Sequence, residues 1–191
     1  MTVHLVVVSG WTGSGKSTLA DALAIELGAT VVSFDWVMSG LRVFDDVWSR
    51  VEMPVEFQRR VGWSLMSRVI EQQLARGASA IGDLVARDEV VDDWTFLAER
   101  YGARFSLLEC LCTDVAVHRS RVEGRQRNIP GWYELTWERV KQGRTLYPPL
   151  SGPKLVLDAV LPAERNVAAA RDYLQRSDII GEHMNGSGIG E

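Results

Sequence analysis

The residues with the clearest chemical potential lie together near the start: Gly10-Trp11-Thr12-Gly13-Ser14-Gly15-Lys16-Ser17, followed by Thr18. The spacing fits G-x-x-x-x-G-K-[ST] without a gap. Glycine tolerates positive φ, so a loop built this way can turn its N–H groups inward around phosphate oxygens. Lys16 would carry a mobile charge to the β- and γ-phosphates, and Ser17 would offer a hydroxyl to Mg²⁺. A helix starting near Ser17 adds free N–H groups and the positive end of its dipole. Trp11, inside the loop, either shields the phosphates or covers the helix that follows. The chemistry expected of the run from Gly10 to Thr18 is binding of ATP with Mg²⁺.

Two carboxylates and a basic cluster could complete a site. Phosphoryl transfer needs a group that orients an acceptor hydroxyl and takes its proton, and cations over the γ-phosphate. Asp35 directly follows an apolar strand pattern, which suits the first role; a capping or turn aspartate is the structural alternative. Asp83 follows Ala-Ile-Gly and could hold a water on Mg²⁺ or meet the acceptor, with the same alternative. The basic cluster is His118-Arg119-Ser120-Arg121-Val122-Glu123-Gly124-Arg125-Gln126-Arg127. On a helix, His118, Arg121 and Arg125 fall along one face. Gly124 loosens the chain and Pro130-Gly131 ends the segment, so Arg121, Arg125 and Arg127 could close over a triphosphate. Guanidinium pairs phosphate bidentately and keeps its charge. One of Arg121 and Arg125 is expected to dominate; an ordinary solvated face is the alternative.

The elements that must position these groups alternate between strand and helix. Val3–Val8, Thr30–Phe34, Ala78–Gly82, Arg104–Cys112 and Lys154–Leu157 read as strands. Ser17–Leu27, Val55–Ala75, Glu89–Tyr101 and Pro162–Leu174 read as helices, and Thr113 or Asp114 caps one more. The stretch from Trp36 to Met53 reads as irregular. The sum is α/β: a doubly wound, five-stranded parallel sheet whose ligands bind at the C-terminal ends of the strands.

With these residues in place, the chain resembles the P-loop kinases grouped as AAA-type ATP-binding domains, which include polynucleotide 5′-kinase, chloramphenicol phosphotransferase and zeta-toxin-like kinases. The resemblance runs from about Val3 to Leu174. It implies a P-loop NTPase like the nucleoside monophosphate kinases, with a short arginine-bearing lid. It makes Asp35 the catalytic aspartate after strand two, Arg121 and Arg125 lid arginines, and Asp83 an acidic residue closing strand three. One domain over 1–176 is expected, with an acceptor-side helical insert near 36–77, a lid near 118–132, and a flexible tail over 177–191. The chain carries no Asn-Lys-x-Asp guanine reader and no Leu-Ser-Gly-Gly transporter signature.

Composition narrows the partners. The 191 residues carry a formal net charge of −4, which gives no global pull toward nucleic acid or anionic lipid. The apolar run at Val3–Val8 is too short to span a bilayer and lacks the flanks of a signal peptide, so cytoplasmic residence is expected. Cys110 and Cys112 read as buried thiols rather than, with His118, a metal site. Among seven tryptophans, Trp36, Trp48 and Trp63 fall on the acceptor side, while Trp132, Trp137, Tyr133 and Tyr147 flank the lid. They wall a planar or sugar-like acceptor, or simply pack the core. Arg42, Arg50, Arg59 and Arg60 add charge there that could meet an anionic acceptor or merely face water. The reading that follows is an ATP-dependent phosphotransferase acting on a hydroxyl of a small-molecule acceptor. The alternatives are a kinase for 5′-hydroxyl ends of nucleic acid and a regulatory ATPase without an acceptor.

Overall fold

The computed structural model describes residues 2–42, 54–146 and 148–185; Trp48, Arg50 and Tyr147, named above, lie outside them. The near-continuous apolar run at the start forms strand β1, His4–Gly10, buried along its whole length, as a strand covered on both faces must be. The other strands are β2 Thr30–Ser33, β3 Ala80–Leu84, β4 Arg104–Leu111 and β5 Leu155–Asp158. All pair in parallel, in the order β2-β3-β1-β4-β5. Alternation along β1 divides the core between two layers. Leu5 and Val7 join Met66, Ile70, Val90 and Trp94 from helices α3 (Val55–Ala75) and α4 (Asp88–Arg100). Val6 and Val8 join Leu19, Leu23, Ala170 and Leu174 from α1 (Lys16–Leu27) and α7 (Ala163–Asn185) on the opposite face. The sheet is therefore doubly wound, as the alternation of elements required.

Several boundaries depart from the sequence reading. Phe34–Arg42 forms a helix, α2, where an irregular stretch was expected from Trp36. Its Phe34 and Val37 pack on the core and Met38 is buried, an i, i+3, i+4 stripe that tertiary contacts stabilise. Phe34 therefore opens α2 rather than ending β2, and Asp35 sits in the helix's first turn. Strand β3 continues to Leu84, so Asp83 is inside it rather than after it. Helix α7 runs through Asn185 instead of stopping at Leu174, so the expected tail from 177 is helical over its first part.

Two short helices bracket the segment expected as a lid, 118–132, the first overlapping its start. Asp114 caps α5, Val115–Glu123, by accepting from the Val117 N–H at 3.0 Å, the geometry of an N-cap. Helix α6, Trp137–Leu146, went unread because its sequence is mostly polar. It exists because Trp137 and Val140 bury against Val122 of α5. Among the described residues, no helix is long and apolar enough to cross a membrane.

Candidate functional site

Strand β1 delivers the chain into a loop that wraps tightly before α1. Gly13 and Gly15 hold φ of 86° and 79°, a region that costs a residue with a Cβ of the order of 1–2 kcal/mol. A Cβ at Gly13 would lie 2.9 Å from Val122 and 3.0 Å from His118, so helix α5 presses directly on the loop. Thr12, Ser14 and Lys16 are buried. The Trp11 ring turns outward onto α6, where a Cβ at Gly143 would strike it at 2.6 Å. Of the two possibilities for Trp11, it covers a helix rather than the phosphate side, and that helix is α6 rather than α1.

Sheet order explains how the acids arrive. Strand β3 lies between β1 and β2, so Asp83 is in register with Val8 on one side and Ser33 on the other. It stands between the strand that feeds the glycine loop and the strand that feeds Asp35. Its Oδ2 accepts from Ser17 Oγ at 2.8 Å, and its Oδ1 lies 3.6 Å from Lys16 Nζ. The carboxylate is only 4% exposed, and Oδ1 accepts no hydrogen bond from the described residues. A buried oxygen with spare capacity beside a serine hydroxyl is the hard donor set that Mg²⁺ favours, so the residues present fit that ion.

Two clefts meet above these residues. One, of about 320 Å³, is lined by Gly13 through Leu19, by Arg121 and Arg125, and by Leu157, Ala159, Leu161, Ala163, Asn166 and Val167. Its polar end is the loop and its apolar end is the β5–α7 turn, which suits a phosphate tail joined to an aromatic base. The other, of about 410 Å³, is lined by Ser17, Asp21, Asp35, Trp36, Asp83, Arg125, Arg127 and Ile129, with Val31 and Ser33 at its floor. Ser17 and Arg125 line both. Trp36 offers an exposed ring, 56% accessible. Trp63 instead packs on the core and Trp137 is buried.

The basic cluster divides. Arg121 is exposed beside the first cleft, and Gly124 ends α5 before Arg125. Burial, and then the charge of Arg127, push the Arg125 guanidinium below its ordinary value, while Asp35, Glu134 and Asp83 pull the other way. Arg127 was expected on the triphosphate. It lines only the second cleft and is pinned there: it pairs with Asp35, donates from Nε to Glu134 at 3.1 Å, and donates from Nη2 to the Tyr133 carbonyl at 3.1 Å. His118, read on one helix face with Arg121 and Arg125, is buried at 1% exposure, with Nε2 2.7 Å from the Thr12 carbonyl. Arg59 pairs with Glu56 at 2.6 Å, and Arg60 lines a separate groove between α3 and α4. Neither lines the second cleft.

Among the residues in or beside the clefts that escaped the sequence reading are Asp21, Glu134, Leu161 and Asn166. Asp21 was findable, since it falls one helical turn after Ser17 and so on the same face of α1. Burial first, and then the charge of Asp83, raise its pKa. The other three are set by chain packing and carry no local signal. Cys110 and Cys112 are free thiols, and burial pushes Cys110 up to about 12. Among the described residues, no cluster of three or more His, Cys, Asp or Glu is arranged to hold a metal. The Mg²⁺ fit rests on Asp83 and Ser17 alone.

Solved structures of similar fold include several kinases. A sugar kinase from Janibacter sp. HTCC2649 aligns with a TM-score of 0.66 at 19% identity, over 92% of this chain and 95% of that one. A gluconokinase from Sinorhizobium meliloti 1021 aligns with a TM-score of 0.65 at 15% identity, over 98% of both chains. The APS kinase CysC of Mycobacterium tuberculosis aligns with a TM-score of 0.57 at 16% identity, over 91% of this chain and 98% of that one. These likenesses establish a P-loop kinase-like fold. No curated protein matches by sequence. The AAA domain family matches across residues 5–150, most of the chain and the whole of the glycine loop, the two acids and the arginine cluster described above, and the protein belongs to that family.

Proposed function

We propose that this protein transfers the γ-phosphoryl group of ATP to a hydroxyl of a small-molecule acceptor. The observation that carries the reading is the meeting of two clefts at Ser17 and Arg125, with Asp35 lining only the second. A nucleotide in the first cleft would point its terminal phosphate at that junction. An acceptor in the second would present its hydroxyl beside Asp35. The volume of about 410 Å³ suits a sugar- or nucleoside-sized molecule, and Trp36 gives it an aromatic wall. The APS kinase of similar fold was solved in complex with AMPPNP and APS, and a nucleotide bound beside a second small molecule is what this reading requires.

Each side chain then has a task. The loop N–H groups and Lys16 hold the β- and γ-phosphates, and Ser17 and Asp83 would hold Mg²⁺. Bound there, the ion would offset charge on the phosphate oxygens. Asp35 accepts the acceptor's proton as the acceptor oxygen bonds to the γ-phosphorus. The bond to the β–γ bridging oxygen breaks, and ADP leaves. Arg125, and Arg121 at the rim, face the γ-phosphoryl oxygens as charge redistributes among them. Arg127 holds the Asp35 carboxylate instead of contacting the nucleotide.

The test is Mg²⁺-dependent ATP consumption by purified protein across nucleosides, sugars, aminoglycoside- and chloramphenicol-type antibiotics, and a 5′-hydroxyl oligonucleotide. Stimulation by one small-molecule class, lost in Asp35→Asn, is the expected result. Stimulation by the oligonucleotide alone would make the protein a polynucleotide kinase. Slow hydrolysis unaffected by the whole panel would overturn the reading in favour of a regulatory ATPase.

A further inference from the structure

His118 lies outside both clefts, yet it is among the most completely buried polar side chains and faces the phosphate loop. Its Nε2 is 2.7 Å from the Thr12 carbonyl. A carbonyl only accepts, so Nε2 must carry the proton, and Nδ1 is left buried with no partner among the described residues. The ring is braced edge-on by Trp137 of α6, centroids 5.2 Å apart, and its Cδ2 would lie 3.0 Å from a Cβ at Gly13. The imidazole is thus held from one side by α6 and closed from the other by the loop.

The bond has a consequence for the peptide beyond it. In a trans peptide the carbonyl of one residue and the N–H of the next point in opposite directions. Anchoring the Thr12 carbonyl toward α5 therefore turns the Gly13 N–H the other way. Gly13 lines the nucleotide cleft and Thr12 does not, which agrees with that orientation. The positive φ of Gly13 leaves this peptide few steric restraints of its own. A hydrogen bond from outside the loop supplies the missing restraint, and donating to the carbonyl also polarises the N–H of the same unit.

We infer that His118 is a positioning residue that fixes the Thr12–Gly13 peptide so that the Gly13 N–H is presented to a nucleotide phosphate. Because α5 carries Arg121 and leads into Arg125, the same bond ties the start of the lid to the phosphate cradle. The inference rests on the first cleft being the nucleotide site but not on any acceptor.

The experiment is ADP·Mg²⁺ binding by calorimetry, together with the Gly13 amide signal in ¹⁵N–¹H spectra, for wild type, His118→Phe and His118→Gln. Phe keeps a ring against Trp137 but removes the donor, whereas Gln keeps a donor at similar reach. His118→Phe is expected to bind ADP about 10-fold more weakly, with the ADP-induced Gly13 shift largely lost, and His118→Gln to stay within about 3-fold of wild type. Unchanged affinity in His118→Phe would overturn the inference. So would weaker binding in which Gly13 still shifts fully, since that pattern marks general loosening. Should His118→Phe fail to fold, His118→Asn against His118→Gln carries the same contrast, because the shorter amide cannot reach Thr12. Kinase inactivity of the wild type would sink the proposed function and leave this result standing. Wild type that binds no ADP would sink both.

Discussion

At the scale of single residues, the two clefts assign different losses to different side chains. Asp35 lines the second cleft alone, so Asp35→Asn should leave ATP affinity within about 2-fold and lower transfer by about 10²–10⁴-fold. Calorimetry beside single-turnover kinetics separates the two; unchanged transfer would move the base elsewhere. Arg125 lines both clefts and is half-buried. Arg125→Ala should lower kcat by more than it raises the Kd for ATP, because a cation at the transferring group gains most in the transition state. An equal loss in both would make Arg125 a simple phosphate ligand. The glycine loop could be read from the sequence because it is defined by its immediate neighbours. The pairing of Arg127 with Asp35 could not be read, because the two lie 92 residues apart.

At the scale of elements, the site stands on helices packed at fixed depth against the sheet. Trp94 of α4 is buried so closely over β3 that a Cβ at Gly82 would run into its ring. The ring is also tethered, its Nε1 donating to Ser67 Oγ of α3 at 2.8 Å. Gly82→Ala should therefore destabilise the fold by about 1–3 kcal/mol by overpacking, read as a lower urea midpoint with an unchanged slope. Gly82 precedes Asp83, so ADP affinity should fall as well; a variant as stable as wild type would show that α4 yields. Helices α2 and α6 mark the limit of pattern reading. Each is short, and each folds because a few apolar side chains find a partner elsewhere, Phe34 and Val37 on the core and Trp137 on α5.

At the scale of the whole molecule, ionisable groups give folding a direction in pH. Burial, and then the charges of Arg144 on α6 and Arg121 on α5, hold His118 below 6.5, opposed by its bond to Thr12. The unfolded chain then binds the proton more readily. Stability from this group is full above about 6.5 and is lost as pH falls from there through the folded value. Glu26, Glu71, Asp88 and Asp158 are held below their ordinary values, first by hydrogen bonds from Arg171, Arg68, Ser151 and Thr113 respectively. Their contribution is present above about pH 4.5 and is lost on further acidification. Tm should thus decline in two stages on acidification, with His118→Gln removing the upper one. A variant whose Tm falls with wild type between pH 6.5 and 5 would assign that stage to another group.

What the sequence determined by itself is whatever neighbouring residues specify: a phosphate loop between an apolar strand and a helix, and the alternation that demands a parallel sheet. Local backbone preference and periodicity carry both of these. What only the tertiary structure decided is which distant pieces meet. The strand order places Asp83 between the strands feeding Ser17 and Asp35. Chain packing gives Arg127 to Asp35, and it buries His118 against a loop 106 residues earlier. Contacts at such separations are selected by the joint packing of helices on both faces of the sheet, a sum over the whole core that no short window of sequence contains.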